Sequence, residues 1–354
     1  MNITIIGAGN AGTTIAADLT HKGHDVTLLK TSDKLHNENF AHLLATRRVA
    51  VEDGAQAYEV TLCSVTTDVE QALSNAELVI LYVQTNYHQQ VIRRIQPYIK
   101  DGQTFLIEPG YLSSCFFLQE TKKDITIIEA ESSPIDCRII APGRVRVLFR
   151  NVLNPFGVYP KREEARARRI LDQLRYPYIL TKNVVEAALH NPNVIVHTTG
   201  ALFSIPRIEK TNGDYWMYKE VFTPHIWNVV THLDEEKMTI LERLGCPRLP
   251  YVEACKMRNS ADASSNALDV FFDYAQNGSP YGPTVPDSRY LTEDVPEGLC
   301  LIESLGKYFG IATPTATAII NLANAALNTD FRQTGRTVER LGLKNIERIL
   351  QDIE

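Results

Sequence analysis

The sequence predicts an α/β protein: an N-terminal domain built on a parallel β-sheet, followed by an all-helical C-terminal domain. Three observations lead to this class. Short apolar runs alternate with amphipathic stretches through the first half of the chain, as in repeated β-α-β units. A glycine-rich motif directly follows the first apolar run. From Val184 onward the apolar residues recur at the helical period instead. We place the boundary at residue 180, which gives domains of residues 1–180 and 181–354.

The apolar runs of the first domain are rich in Val, Ile and Leu, which suits parallel strands covered on both faces. We predict strands at residues 2–6, 25–30, 77–83, 104–108 and 125–129. The stretches between and after them predict helices at residues 11–22, 67–74, 86–99 and 162–175. Residues 49–62 have the pattern of a hairpin and residues 144–150 alternate as a strand does. We expect both segments to extend the same sheet.

Composition and charge argue against several classes of function. The chain has 354 residues, 44% of them hydrophobic, and a formal net charge of −6. A nucleic-acid-binding face is usually strongly basic, so we expect no nucleic-acid partner. The chain has no run of about 18 apolar residues and no signal sequence, so we expect no membrane partner. Its six cysteines are scattered without a C-x-x-C pair, which argues against a zinc site and predicts a reducing, cytoplasmic location.

The glycine-rich motif has the form G-x-G-x-x-G and lies between the first predicted strand and the first predicted helix. In this setting it is typical of a Rossmann dinucleotide-binding domain. Gly7 would permit the tight turn, Gly9 would let the backbone approach the pyrophosphate, and Gly12 would let helix and strand pack closely. Asn10 and Ala11 open the helix, whose N-terminal N–H groups would face the phosphates. A glycine-rich turn without a ligand is the alternative interpretation.

The residues after the second predicted strand bear on the choice between NADP and NAD. An acidic residue here usually binds the ribose 2′-hydroxyl of NAD. This chain instead has Lys30, Thr31 and Ser32, a cation and two hydroxyls that suit a 2′-phosphate. We therefore expect NADP, with NAD possible. In the alternative interpretation Lys30 points into solvent and Asp33 binds the ribose.

Three stretches of the second half resemble the opine dehydrogenases, the octopine/nopaline dehydrogenase family. Residues 191–197, N-P-N-V-I-V-H, are similar to an asparagine-rich segment that ends in the family's catalytic histidine. Residues 288–299, S-R-Y-L-T-E-D-V-P-E-G-L, look like the family's R-Y-x-x-E-D-V-x-x-G-L. Residues 329–337, T-D-F-R-Q-T-G-R-T, are the third stretch. The resemblance is collinear over essentially the whole chain, and it is closest to the N-(1-D-carboxyethyl)-L-norvaline dehydrogenase branch.

The resemblance implies an NAD(P)H-dependent opine dehydrogenase, which reduces the imine formed from a 2-oxo acid, such as pyruvate, and the amino group of an amino acid. It implies that His197 handles a proton, that Asp294 orients His197 and that Arg289 binds a substrate carboxylate. These residue types suit the roles, because an unperturbed histidine titrates near pH ~6.5 and a guanidinium can bind a carboxylate through two hydrogen bonds. The substrates would bind in a cleft between the domains, and a homodimer is expected by analogy.

The residues alone leave other interpretations open. A histidine on an apolar helix is usually packed or at the surface, and Arg289 and Asp294 would also suit a structural ion pair. Lys30, residues 84–86 and Glu108 depart from the family's pattern, which leaves the cofactor preference and the amino-acid substrate open. A 2-oxo-acid or 2-hydroxy-acid reductase with the same two domains is the rival enzyme. A non-catalytic NADPH-binding sensor is the rival of another class.

Other histidines and a group of aromatic residues receive weaker predictions. His190 lies seven residues before His197, but no thiol or carboxylate stands at a compatible spacing, so we expect no metal. His88 follows a predicted strand end, where either a cofactor contact or a surface position is open. We expect a core position for the aromatic side chains of Trp216, Tyr218, Phe222 and Trp227.

Overall fold

The computed structural model describes residues 1–352, which divide into two compact units. Unit 1 comprises residues 1–184 together with Asp352, and unit 2 comprises residues 185–351. The carboxylate of Asp352 accepts a hydrogen bond of 2.6 Å from the backbone N–H of Lys161, which ties this residue to unit 1. Among the described residues, none of the helices combines the length and the apolarity that a bilayer span requires.

Unit 1 contains an eight-stranded, mostly parallel sheet. Its strands are β1 (Asn2–Ile6), β2 (Asp25–Leu29), β5 (Ser64–Thr66), β6 (Leu78–Leu81), β7 (Thr104–Ile107), β8 (Thr126–Ala130), β11 (Asn154–Tyr159) and β12 (Tyr178–Leu180). The order is β12-β11-β8-β7-β6-β1-β2-β5, and all neighbours are parallel except β11 and β8. Every residue of β6 and β7 is buried, as expected of strands covered on both faces. The five predicted strands are confirmed to within two residues.

The expectation that residues 49–62 and 144–150 extend this sheet is wrong. They form a separate sheet from β3 (Arg48–Asp53), β4 (Gln56–Thr61), β9 (Ile135–Ala141) and β10 (Arg144–Arg150), in the order β4-β3-β10-β9. The hairpin itself is present, because β3 and β4 are antiparallel. β10 pairs with β3 on one side and β9 on the other, so these strands satisfy their hydrogen bonds among themselves. Their inward valines share one core with Ile15 and Leu19 of the first helix.

The helices of unit 1 are α1 (Asn10–His21), α2 (Asn37–Thr46), α3 (Val69–Leu73), α4 (His88–Ile95), α5 (Ser114–Glu120) and α6 (Glu164–Leu174). The helix predicted at residues 86–99 is α4 flanked by short 3₁₀ turns at Thr85–Tyr87 and Gln96–Tyr98. Pro97 has no N–H to continue the α-helical bonding, which ends α4 early. Helices α2 and α5 have no counterpart among the predicted helices. In α5 the apolar residues are consecutive and show no helical period.

From Val184 onward the described chain is helical, as predicted. The α-helices are α7 (Val184–Leu189), α8 (Pro192–Thr211), α9 (Met217–Glu220), α10 (Pro224–Arg243), α11 (Tyr251–Asn259), α12 (Ala267–Asp273), α13 (Arg289–Thr292), α14 (Cys300–Phe309), α15 (Pro314–Leu327), α16 (Phe331–Thr334), α17 (Val338–Leu341) and α18 (Leu343–Leu350). Two π-helical segments span Tyr274–Gly278 and Val295–Leu299.

Helix α8 begins where its sequence favours a helix start. The side chain of Asn191 accepts a hydrogen bond of 2.9 Å from the backbone N–H of Asn193. Pro192 takes the first helical position, where its missing N–H costs nothing. The helix ends where Asn212 adopts the left-handed conformation, with φ at 52°. The position of this N-terminus determines where along the axis of α8 the side chain of His197 projects.

Candidate active site

The glycine-rich turn in unit 1 needs two of its three glycines for steric reasons. Gly7 has a φ of 121°, and a Cβ there would collide with the carbonyl oxygen of Tyr82 at the end of β6. A Cβ on Gly12 would collide with the carbonyl oxygen of Gly7. Residues 7 to 12 therefore link β1 to α1 through the tight, closely packed turn that the motif predicts.

The N-terminus of α1 suits a pyrophosphate. Gly9 is the N-cap and offers no capping side chain, and the first turn of the helix contains no acidic residue. The N–H groups of this first turn therefore remain the natural partners of an anion. The side chain of Asn10 accepts a hydrogen bond of 2.8 Å from the backbone N–H of Ile139, so it ties the turn to the second sheet. Any contact of Asn10 and Ala11 with phosphate is thus expected from the backbone.

At the end of β2, Lys30 does not point into solvent. Its side chain is buried, and its ammonium donates a hydrogen bond to the carbonyl oxygen of Ser32 and lies 5.8 Å from the centre of the Phe40 ring. Asp33, the alternative ribose ligand, is exposed. Arg94 of α4 donates a hydrogen bond of 2.6 Å to the carbonyl oxygen of Thr31. Two cations therefore border the segment that contains Thr31 and Ser32.

His36 is a neighbour of the glycine-rich turn that the sequence analysis misses. It adopts the left-handed conformation with φ at 55°, and its Nε2 lies 3.6 Å from the position that a Cβ of Gly9 would take. Burial, followed by the charge of Lys30, lowers the pKa of His36. No sequence motif marks this residue, because its place depends on how the loop after β2 folds back over the turn.

A buried carboxyl group lies at the end of β7, beside the turn. Glu108 is 3% exposed and accepts a hydrogen bond from the hydroxyl of Tyr82. Burial raises the pKa of Glu108 well above its usual value. His88 is also fully buried, and its ring contacts Ser113 Oγ at 2.7 Å and the carbonyl oxygen of Val83 at 3.1 Å. The surface interpretation of His88 is therefore wrong, and both residues help to form the carboxyl edge of the sheet.

The second group of candidate residues lies in unit 2. His197 of α8 and Asp294, which precedes the Val295–Leu299 π-helix, are 97 positions apart, and His197 Nδ1 lies 2.8 Å from Asp294 Oδ2. Both side chains are buried. A carboxylate at Nδ1 holds the proton of a neutral imidazole on that nitrogen, which leaves proton exchange to Nε2. The structure thus brings together the two residues that the sequence links as a proton relay.

Arg289 lies five residues before Asp294, at the first position of α13. Its guanidinium Nη1 lies 3.4 Å from Oε2 of the buried Glu293, and its side chain is 53% exposed. Because the guanidinium is half exposed, solvent screens this ion pair and it contributes little to folding. The role of Arg289 as a carboxylate ligand therefore stays a prediction.

An aromatic ring next to Arg289 contacts the histidine directly. The ring of Tyr290 stacks on the imidazole of His197 with a centroid distance of 3.7 Å and an interplanar angle of 2°. Tyr290 lies within the R-Y-x-x-E-D-V motif, but the sequence alone predicts no role for it. Spacing along the chain does not reveal the contact, because it depends on the packing of α13 against α8.

The segment that carries Asp294 is fixed by a buried ion pair. Arg336 donates to the carboxylate of Glu297, and the side chains of both residues are almost completely buried. Gly298 packs so closely on Val194 that an added Cβ would collide with that side chain. The Val295–Leu299 π-helix is therefore held against α8 at Val194, three residues before His197.

The two parts of the chain match different known families. Residues 180–327 match the family described as NAD/NADP octopine/nopaline dehydrogenase, alpha-helical domain. Residues 2–125 match the N-terminus of NAD-dependent glycerol-3-phosphate dehydrogenase. Together the matches define the class: a dehydrogenase with an N-terminal dinucleotide-binding domain and a helical second domain.

Two relatives are similar to almost the whole chain. The chain is 25% identical over 351 residues to an opine dehydrogenase of Arthrobacter sp. (strain 1C), covering 97% of this chain and 95% of that protein. It is 26% identical over 348 residues to the protein ocs of Agrobacterium tumefaciens (strain Ach5), covering 97% and 95%. The resemblance to the octopine/nopaline dehydrogenase family is confirmed.

Solved structures show the same fold at lower identity. An octopine dehydrogenase in complex with NADH and agmatine superposes with a TM-score of 0.77 at 18% identity, covering 100% of this chain and 98% of that one. A yersinopine dehydrogenase with bound NADP⁺ superposes with a TM-score of 0.72 at 16% identity, with the same coverage. The predicted fold class is confirmed.

Proposed function

We propose that this protein is an opine dehydrogenase, an NAD(P)-dependent oxidoreductase that condenses a 2-oxo acid, such as pyruvate, with the amino group of an amino acid and reduces the product. Carbonyl, amine, NAD(P)H and one proton give a secondary amine, NAD(P)⁺ and water. The observation that carries the proposal is the 2.8 Å contact between His197 and Asp294, two distant residues that the motif resemblance to opine dehydrogenases implies act together.

The condensation needs a group that both releases and accepts protons. The carbonyl oxygen must leave as water, and the amine must lose a proton before it attacks. His197 suits both steps, because its Nε2 can donate as imidazolium and accept as imidazole. Asp294 stabilises the imidazolium form and fixes the ring. The bound dinucleotide supplies the hydride that reduces the imine carbon.

Substrate carboxylates need a cation. Arg289 lies five residues before Asp294 and keeps its guanidinium half exposed, so it suits the binding of a carboxylate through two hydrogen bonds. Which oxo acid and which amino acid bind, and whether the norvaline branch is the right one, stay predictions from the sequence.

For the cofactor, we propose a preference for NADP(H). Lys30 is buried beside Thr31 and Ser32, and Arg94 reaches the same segment. The cations and hydroxyls of this segment suit a 2′-phosphate, and the carboxylate of Asp33 is exposed. NAD is the second candidate cofactor. The backbone of Gly7, Gly9 and Gly12 would hold the pyrophosphate.

We also propose a cytoplasmic location and a homodimer, with no nucleic-acid or membrane partner. Five of the six cysteines are buried and none stands in a C-x-x-C pair, which suits a reducing compartment. The dimer rests on analogy alone and is checked by the molecular mass in solution.

The experiment that tests the proposed function is a matrix of substrates. NADPH oxidation is followed with several 2-oxo acids, each with and without neutral, basic and aromatic amino acids. We expect oxidation that requires both an oxo acid and an amine. Equal oxidation with the oxo acid alone would support the simple reductase, and tight NADPH binding without turnover on any pair would support the sensor.

A further inference from the structure

We propose that Tyr290 is a positioning residue for His197: its ring fixes the plane of the imidazole and thereby the direction in which Nε2 exchanges its proton. The inference rests on the proposed function, since it gives Tyr290 a part in the reaction that His197 serves. Tyr290 does not itself exchange the proton.

The geometry gives the two neighbours of His197 complementary tasks. The hydrogen bond to Asp294 fixes the position of Nδ1, but it leaves the ring able to tilt about the line that joins Nδ1 to Oδ2. A parallel ring 3.7 Å away blocks that tilt, because any rotation drives one edge of the imidazole into the phenol ring. The hydrogen bond and the stack together fix the direction in which Nε2 exchanges its proton.

The partly buried Tyr290 is in turn near a fully buried tyrosine, Tyr215. The hydroxyl of Tyr215 lies 2.9 Å from Ser204 Oγ of α8, seven residues and thus two turns beyond His197. Burial raises the pKa of Tyr215 to about 12, and nearby Tyr290 adds to this rise. His197 and Ser204 therefore lie on the same face of α8. Ser204 contacts Tyr215, which is near Tyr290, the ring that stacks on His197.

The stack also favours the charged form of the histidine. The face of an aromatic ring attracts a cation placed over it. Charged groups on the elements packed around α8 have partners of their own: Glu293 with Arg289, Glu297 with Arg336, and Asp234 with Lys237. Asp294 and the Tyr290 ring both contact the imidazole, and both stabilise its protonated form.

The test compares Tyr290→Leu with Tyr290→Phe, which keeps the ring. Tyr308→Leu is the matched control, because Tyr308 is a half-exposed tyrosine in an aromatic pair with Phe309 on α14. We expect Tyr290→Leu to lower kcat about tenfold, with an unchanged KM for NADPH. In the oxidative direction, where His197 must be unprotonated, the acid inflection of the pH profile should move to lower pH. Tyr290→Phe should restore the kcat and the inflection, and Tyr308→Leu should change neither.

A second readout is independent of turnover. The ring protons of His197 lie over the Tyr290 face, so their proton resonances should move downfield in Tyr290→Leu and stay in place in Tyr290→Phe. Unchanged kcat, pH inflection and resonances in Tyr290→Leu would overturn the proposal, as would a Phe variant as impaired as the Leu variant. His197→Asn is measured alongside. If His197→Asn loses turnover and Tyr290→Leu does not, only the positioning role of Tyr290 fails. Normal turnover of His197→Asn would overturn both that role and the proposed role of His197 in the reaction.

Discussion

At the scale of single residues, the reaction depends on which nitrogen of His197 exchanges a proton. Because Asp294 binds Nδ1, proton exchange falls to Nε2. His197→Asn should lower kcat by about 10²–10⁴, and Asp294→Asn should also be damaging because the tautomer is no longer enforced. NADPH affinity should not change, since the glycine-rich turn belongs to unit 1. Steady-state kinetics and NADPH titration check this, with Asp269→Asn as an exposed control; ordinary turnover by His197→Asn would remove the assignment.

Arg289 separates a substrate ligand from a structural cation. If it binds the oxo-acid carboxylate, Arg289→Lys and Arg289→Ala should both reduce kcat/KM for that substrate, by an amount equivalent to about 2–5 kcal/mol in the Ala variant. The thermal midpoint should hardly change, because the guanidinium is exposed and its pair with Glu293 contributes little to folding. Arg207→Lys is the matched control, since Arg207 is also 53% exposed and pairs with Glu220. A lower midpoint with normal kinetics would make Arg289 structural.

Lys30 should decide the cofactor preference. A charge-assisted contact with a 2′-phosphate contributes about 1.5–3 kcal/mol, so loss of the cation should weaken NADPH binding by roughly tenfold to a hundredfold. Lys30→Asp should therefore invert or abolish the NADP preference, measured as the ratio of kcat/KM with NADPH and NADH. The NADH value of the same variant controls for misfolding. Equal or better kcat/KM with NADH in the unmodified protein would refute the idea.

Sequence patterns reach some of these residues and not others. His197 and Asp294 are found because each lies in a motif of a known family. Tyr290 and His36 are missed as neighbours, because a ring stack and a loop that returns to Gly9 are set by packing and leave no periodic signal. Lys30 is found, but its burial against Phe40 is not.

At the scale of elements, helices α14, α15 and α16 meet at one carboxylate. Glu303 accepts hydrogen bonds from Arg332 at 2.7 Å through both Nε and Nη2, and also from Thr317 and Lys307. The bonds from Arg332, followed by those from Thr317 and Lys307, outweigh burial and lower the pKa of Glu303 from 4.5 to about 2. This depressed value means that the carboxylate stabilises the fold above pH 4.5 and loses that contribution as the pH falls toward 2.

Glu303→Gln should therefore lower the urea midpoint of unfolding at pH 7 and flatten its decline between pH 4.5 and 2. The measurement is a series of urea titrations across that range, followed by circular dichroism. Glu242→Gln serves as the control, since Glu242 is 63% exposed in its pair with Arg248. An acid decline as steep in Glu303→Gln as in the unmodified protein would show that other groups cause it.

Elements with strong periodicity were predictable, and their assembly into sheets was not. The buried strands of unit 1 and the helical character of unit 2 follow from apolar spacing. The second sheet does not, because the pairing of β10 with β3 joins residues about 94 positions apart, and local pattern carries no information on such a partner.

At the scale of the whole molecule, the chemistry is divided between the two units. Unit 1 carries the glycine-rich turn and the cationic end of β2, and unit 2 carries His197, Asp294 and Arg289. In the proposed function, unit 1 would supply the site for a hydride donor, and unit 2 would supply proton transfer and a carboxylate ligand. A reaction that forms a carbon–nitrogen bond and then reduces it needs both.

The most direct test of this account is the fate of the hydride. NADPH dideuterated at C4 of the nicotinamide is incubated with the protein, a 2-oxo acid and the amino acid that the substrate matrix selects, and the products are analysed by mass spectrometry. The proposal predicts a secondary amine whose mass is the sum of both substrates less one water plus one hydrogen and one deuterium, with the deuterium bound to the former carbonyl carbon. A deuterated 2-hydroxy acid, with the amino acid left unconsumed, would contradict it.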